Sequence, residues 1–303
     1  MKRVLVTGAA GFIGANLVRR LLTDGHDVHG IVRVSTENAW RLARLFDSIH
    51  LYSPFDFGLA HLKDIRPDWI FHLAAYGVYP WQRSMMMMTL QNIVATDSLL
   101  SACHSIDFEA FVQAGSSVEY GFKDHAPDEN EPIAPSTDYG LTKAVATRYA
   151  QEMGGHITTL RLYSPYGPYE AQSRLIPTLI AHGLRGDLPP MANPDNARDF
   201  VHVDDVCEAF IRAAAMPHGG QIYNVGTGVQ TSLREVITIS KRLMHIETEP
   251  VWNTADNRVW DTNVWVANNT KIKEQLGWQP RYTFEQGLQA TIDWTKERNL
   301  EAA

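Results

Sequence analysis

Residues 4–14, VLVTGAAGFIG, decide the reading of this chain, and residues 15–22, ANLVRRLL, complete it. An apolar run breaks into Gly8-x-x-Gly11-x-x-Gly14 and resumes with amphipathic spacing, which reads as strand, glycine turn and helix. In that order the first peptide N–H groups of the helix face an anion, and the glycines let the backbone turn tightly and lie close to a dinucleotide pyrophosphate. Further short apolar runs at 27–32, 49–52, 69–73, 110–115 and 157–162 follow the first strand at 3–7. Helical patterns fit between them at 12–24, 36–46, 57–64, 83–104 and 138–153. Such alternation predicts a parallel sheet covered by helices on both faces.

The predicted fold is therefore α/β, a Rossmann-type doubly wound sheet, with ligands beyond the carboxyl ends of its strands. Gly8, Ala74, Ser116, Tyr139 (by its helix) and Ser164 all fall at that end. Tyr139 and Lys143 are four apart and share one helix face. A free phenol has a pKa of about 10, and a neighbouring ammonium is expected to lower it so that Tyr139 exchanges a proton near neutral pH. Reaching about 7 takes three units, roughly 4 kcal/mol, more than one Lys supplies; a positive nicotinamide ring adds to it.

These pieces resemble the extended short-chain dehydrogenase/reductase family of nucleotide-sugar epimerases, dehydratases and reductases, over nearly the whole chain. TGAAGFIG at 7–14 is similar to its cofactor loop, and FHLAAYG at 71–77 to its segment after the fourth strand. Asn92 stands where the family carries an Asn in the following helix. LRLYSPYGP at 160–168 resembles the strand end that meets nicotinamide and sugar, while ARDFVHVDDV at 197–206 and LGWQP at 276–280 resemble later landmarks. The resemblance implies Ser116, Tyr139 and Lys143 as catalytic residues. It implies cofactor contacts from Gly8, Gly11, Phe12, Ile13, Gly14, Arg33, Leu73, Ala74, Ala75, Tyr139, Lys143 and Tyr163. Ser117, Ser164, Arg174, Arg198 and Arg258 are then expected at the substrate, although many relatives have Asn where Ser164 stands.

The second strand reads DVHGIVRVSTEN, residues 27–38. An acidic residue at its end accepts from the ribose hydroxyls of NAD, whereas an Arg pairs with a 2′-phosphate. Here Val32 and Arg33 stand there, and Ser35 and Thr36 add neutral donors, as in NADP-dependent GDP-mannose dehydratases, so NADP(H) is expected over NAD(H). Sugar 4,6-dehydratases place acids just after the Ser116 position; this chain has Ser117 and Val118, and Glu119, in an extended segment, is expected to point elsewhere. That leaves a reductase of a nucleotide-linked 4-keto-6-deoxy sugar, which GSSVEYG at 115–121 also resembles, ahead of a 4-epimerase with retained NAD(P)+. A dehydratase and a non-catalytic NADP sensor follow, the sensor disfavoured because Ser116, Tyr139 and Lys143 are all present.

Composition is that of an ordinary globular chain of 303 residues, 45% hydrophobic and 20% charged. A net charge of −7 argues against nucleic acid as a partner. No apolar run suits a membrane span, Met1 leads straight into the first strand without a signal peptide, and two cysteines, Cys103 and Cys207, make no disulfide framework. A cytoplasmic location is expected. Twelve histidines show no ligand-like spacing, so no metal is expected. From residue 165 prolines at 165, 168, 177, 189, 190 and 194 break the pattern. The chain divides into a dinucleotide-binding domain, 1–164 and 201–230, and a substrate lobe, 165–200 and 231–303, with QIYNVG at 221–226 returning a strand to the sheet. Met85–Met88 suit a core or an interface, and in the family helices corresponding to 83–104 and 138–153 form a homodimer contact.

Overall fold

The structure, a computed structural model, describes residues 1–33, 40–255 and 261–302. In chain order the elements are β1 (Arg3–Thr7), α1 (Phe12–Thr23), β2 (Asp27–Ile31), β3 (His50–Tyr52), α2 (Leu59–Ile65), β4 (Trp69–His72), α3 (Met85–Met88), α4 (Ala95–Cys103) and β5 (Ala110–Ser116). There follow α5 (Asp138–Met153), β6 (Ile157–Leu162), β7 (Ser164–Tyr166), α6 (Leu175–Gly183), β8 (Ala197–Arg198), β9 (Phe200–His202), α7 (Val203–Ala215), β10 (Gln221–Val225), β11 (Thr231–Ser232), α8 (Leu233–Met244), α9 (Thr270–Leu276) and α10 (Phe284–Ala302).

Seven strands form one parallel sheet in the order β10-β6-β5-β4-β1-β2-β3. Parallel strands are covered on both faces, which is why β1 reads as an unbroken apolar run. Val4 and Val6 pack on one face with Leu17, Val18, Leu21 and Phe210. Leu5 faces the other way, among Leu62, Ile70, Leu100 and Phe111. Strand order reverses between β1 and β4, and the crevice at that switch point is where an open α/β sheet takes its ligand. Gly8 leaves β1 there and Leu73–Ala74 leave β4.

A second core joins Tyr166, Ile176, Leu179, Val236, Ile237, Leu288 and Ile292. Two small sheets border it: β7 pairs in parallel with β9, and β8 antiparallel with β11. Ile272, Leu276 and Trp278 pack with the larger core instead, although they lie within 231–303.

Two expected helices differ. Of the helix at 36–46, residues 36–39 lie outside the described residues, and Ala43–Ser48 is a 3-10 turn opened by a Leu45 N–H to Leu42 carbonyl bond of 2.7 Å. Arg41 and Leu42 are buried, so tertiary contacts rather than helical periodicity shape this stretch. The helix at 83–104 is interrupted by a π-helical turn, Thr89–Val94. Its wider turn seats Asn92, whose amide donates to the Tyr76 carbonyl (2.8 Å) and Thr142 Oγ1 (3.0 Å) and accepts from the Tyr76 N–H (2.8 Å).

Candidate active site

The glycine turn makes a cradle with no room for side chains. Gly8 has φ +68°, and a Cβ there would stand 2.8 Å from the Ala74 nitrogen; one on Gly14 would collide with the Gly8 carbonyl oxygen. The Gly11 N–H donates to that same carbonyl at 2.8 Å. Gly11 is the N-cap of α1, with no side-chain cap and no acid in the first turn, so the N–H groups of Phe12, Ile13 and Gly14 meet the crevice with the positive helix end behind them. This cradle fits the diphosphate of a nicotinamide dinucleotide. The N–H groups of Gly8 and Ala9 donate to the Ile31 carbonyl (3.0 and 3.4 Å), which sets the end of β2 against the loop. Val32 there is buried and Arg33 exposed; Ser35 and Thr36 lie outside the described residues.

Across the crevice, Thr137 caps α5 by accepting from the Gly140 N–H at 3.0 Å, so the helix begins at the reactive residues. Tyr139 is hydrogen-bonded to Ser116, at the end of β5, and Lys143 lies one turn on, buried. The expected lowering of the phenol does not occur. Burial pushes Tyr139 up to about 12; Glu119 adds to the rise, while Arg174 and the Ser116 hydrogen bond oppose it. Lys143 in turn is pushed down by burial, against the pull of Glu119.

These features decide the family. The model of the NAD dependent epimerase/dehydratase family matches residues 4–226. The chain belongs to it. Within the extended short-chain dehydrogenases/reductases, it is 32% identical over 98% of its length, and 99% of the other chain's, to a UDP-glucose 4-epimerase of Mycolicibacterium smegmatis. It is 28% identical to a dTDP-glucose 4,6-dehydratase of Xanthomonas campestris, covering 96% and 92% of the two chains. The solved UDP-glucuronic acid 4-epimerase of Bacillus cereus, in complex with UDP-glucuronic acid and NAD, matches with a TM-score of 0.87 at 26% identity, covering 97% and 99%.

In this member of the family Glu119 corrects the expectation of an extended segment. Ser117–Tyr120 is a 3-10 turn that swings Glu119 back into the interior. There it accepts from the Ser116 N–H (2.8 Å), Thr147 Oγ1 (3.1 Å) and Arg161 Nε (2.9 Å). It braces the Ser116 end of β5 and Arg161 from behind rather than facing substrate.

A buried relay that short motifs do not reveal ties the two sides of the crevice together. The Ala74 N–H donates to Thr7 Oγ1 (3.2 Å), which lies 2.8 Å from His72 Nδ1; His72 Nε2 lies 2.9 Å from Thr96 Oγ1, which donates to the Asn92 carbonyl (2.8 Å). With both ends committed, Thr7 donates to Nδ1 and Nε2–H donates to Thr96. Burial, aided by Lys143, drops His72 to about 3, so it stays neutral. Thr142 accepts from Asn92 (3.0 Å) and donates to the Tyr139 carbonyl (3.0 Å), carrying the relay to α5.

Two of the expected substrate residues, Ser117 and Arg198, meet at Trp265, and Arg174 stands beside Val78. Arg174 donates to the Val78 carbonyl (3.3 Å) and stands 3.5 Å from Glu170, a buried carboxyl raised by burial to about 8. Arg198 pairs with Asp261 (2.8 Å), its guanidinium 5.5 Å from the Trp265 ring centroid. Trp265 Nε1 donates to Ser117 Oγ (3.2 Å), and Ser164 donates its N–H to the Asp199 carbonyl (3.0 Å). Tyr163, expected at the cofactor, donates its N–H to the Val225 carbonyl (3.0 Å) and lines a small cavity with Ser117, Tyr120 and Trp265. Arg258 lies outside the described residues. Sequence reasoning missed Trp265 and also Arg41, which donates to the Tyr169 carbonyl (2.7 Å) and lies 3.5 Å from that of Ala10 in the cofactor loop; both carried no signal beyond a lone side chain.

Proposed function

We propose that this chain is an NADP(H)-dependent reductase of a nucleotide-linked 4-keto-6-deoxy sugar, with Tyr139 as proton donor beside Ser116 and Lys143. The end of β2 carries the cofactor reading: Val32 is buried, the sequence puts no acid at 32–36, and Arg33 is exposed next to the glycine loop, poised for a 2′-phosphate. Phe12, Ile13 and Gly14 would hold the diphosphate by their N–H groups, Leu73, Ala74 and Ala75 would flank the nicotinamide half, and Lys143 would meet its ribose. The bound cofactor supplies the hydride. Ser116 and Tyr139 hold the keto oxygen; as the carbonyl carbon is reduced, the Tyr139 proton passes to that oxygen and the phenol is reloaded from solvent.

The state of the phenol suits reduction. With a pKa of about 12, Tyr139 is a fully loaded acid at neutral pH, as reduction requires. Dehydration is disfavoured because Ser117 and Val118 carry no acid and Glu119 is committed to Arg161. A 4-epimerase with retained cofactor is the second reading, favoured by the relatives named UDP-glucose and UDP-glucuronic acid 4-epimerase.

Ser117, Ser164, Arg174 and Arg198 are proposed for sugar and diphosphate. Met86, Leu90 and Val94, and beside them Leu141 and Val145, stay exposed at four-residue spacing, which suits a homodimer through these helices. Both cysteines are free and buried, in keeping with a cytoplasmic enzyme, and no helix among the described residues is long and apolar enough to cross a membrane.

The test is incubation with NADPH and a panel of 4-keto-6-deoxy sugar nucleotides. One NADPH consumed per product supports the reductase. Interconversion of two sugar nucleotides without added reductant and without net absorbance change overturns it in favour of the epimerase.

A further inference from the structure

At the open edge of the sheet, strand register assembles three side chains that are far apart in sequence. β3 is the outermost strand, and its first residue, His50, is the register partner of His29 on β2. Asp27 precedes His29 by two positions, so alternation places it on the same face. The imidazoles of His29 and His50 lie 4.7 Å apart, centroid to centroid. An Asp27 carboxylate oxygen stands 3.4 Å from His29 Nε2, and the other stands 3.5 Å from His50 Nε2. Asp27 and His50 open their strands, so the cluster sits toward the end of the sheet opposite the cofactor cradle.

We infer that Asp27, His29 and His50 form a binding site for a divalent transition ion of the zinc class. Bonds of about 2.0–2.2 Å to a tetrahedral ion put neighbouring ligand atoms about 3.4 Å apart, close to the 3.4 and 3.5 Å that separate the two Asp27 carboxylate oxygens from His29 Nε2 and His50 Nε2 respectively. One ligand atom from each residue lies within 4.8 Å of the other two, and the exposed His50 can turn to close the remaining gap. Two imidazoles and one carboxylate suit zinc, with solvent in the fourth position. A ligating imidazole needs a partner on its other nitrogen, and His29 Nδ1 lies 3.0 Å from the Tyr52 hydroxyl, which serves as its acceptor once Nε2 binds the ion. The ion would tie the three-residue edge strand to β2, distant from catalysis.

The test uses the full chain without a histidine tag, stripped with a chelator and titrated with Zn2+ by calorimetry and with Co2+ by visible absorption. Expected are one ion per chain, tetrahedral Co2+ bands and a raised Tm with Zn2+, with turnover unchanged. His50→Ala and Asp27→Asn should abolish all three binding signals while leaving the metal-free Tm and turnover near the parent's. Tyr52→Phe should weaken binding by about 10–100-fold. Absence of saturable binding, or the same one-ion stoichiometry in His50→Ala, overturns the assignment.

Discussion

Keto reduction by this chain is expected to be flat in pH from about 6 to about 9.5, because its acid is a phenol held far above neutrality. Burial is the largest contribution to the Tyr139 pKa of about 12, Glu119 adds to it, and Arg174 and Ser116 only partly offset them. Tyr139 donates only when protonated, so activity falls as pH rises through its pKa. At pH 9.5 a group with a pKa of about 12 is ionised to roughly 0.3%, whereas one at 7 is almost wholly ionised. The assay is kcat/KM for reduction with NADPH across that range, run beside Tyr139→Phe. That variant should lose about 10²–10⁴-fold in rate, the usual worth of a general acid, while still binding dinucleotide. Glu170, raised to about 8, is the neighbouring group that titrates inside the window, so Glu170→Gln is run as the control. A descending limb centred near 7–8 that persists in Glu170→Gln would refute the placement of Tyr139 as a loaded acid.

Arg33→Ala should weaken NADPH by about 1.5–3 kcal/mol and leave NADH nearly unchanged, by titration calorimetry; equal affinity of the parent chain for both cofactors contradicts the 2′-phosphate role. Gly14→Ala should cost about 1–3 kcal/mol of stability, read by thermal melting, and impair dinucleotide binding, because its Cβ meets the Gly8 carbonyl. His72, lowered from 6.5 to about 3, stabilises the fold fully above pH 6.5, and that contribution is lost as pH falls toward 3. Urea denaturation at pH 7 and pH 4 should therefore show His72→Gln losing about 3 kcal/mol less than the parent chain on acidification.

Much of this molecule is legible in local sequence. The order strand, glycine turn, helix depends on contacts within about a dozen residues, so Gly8, Gly11 and Gly14 announce the cradle without the rest of the chain. Tyr139 and Lys143 share a face of α5 because helical spacing alone puts them there. The seven parallel strands follow from alternation, since each strand and helix carries its own period. The residue at the end of β2 is equally local, and Val32–Arg33 needs no tertiary information to be noticed.

Tertiary structure alone decided the electrical state of the site. A Lys one turn from a Tyr suggests a lowered phenol, but desolvation together with Glu119 raises it, against the pull of Arg174 and Ser116. Glu119 pointed inward because a 3-10 turn replaced an extended segment, and its partners Thr147 and Arg161 come from an adjacent helix and strand. His72 looked like one buried residue among twelve histidines until Thr7 and Thr96, on elements far apart in the chain, fixed its protonation and tautomer. Asp27, His29 and His50 met through strand register, which no short spacing encodes. Backbone geometry is local and therefore readable, whereas desolvation and pairing depend on what the rest of the chain packs around a group.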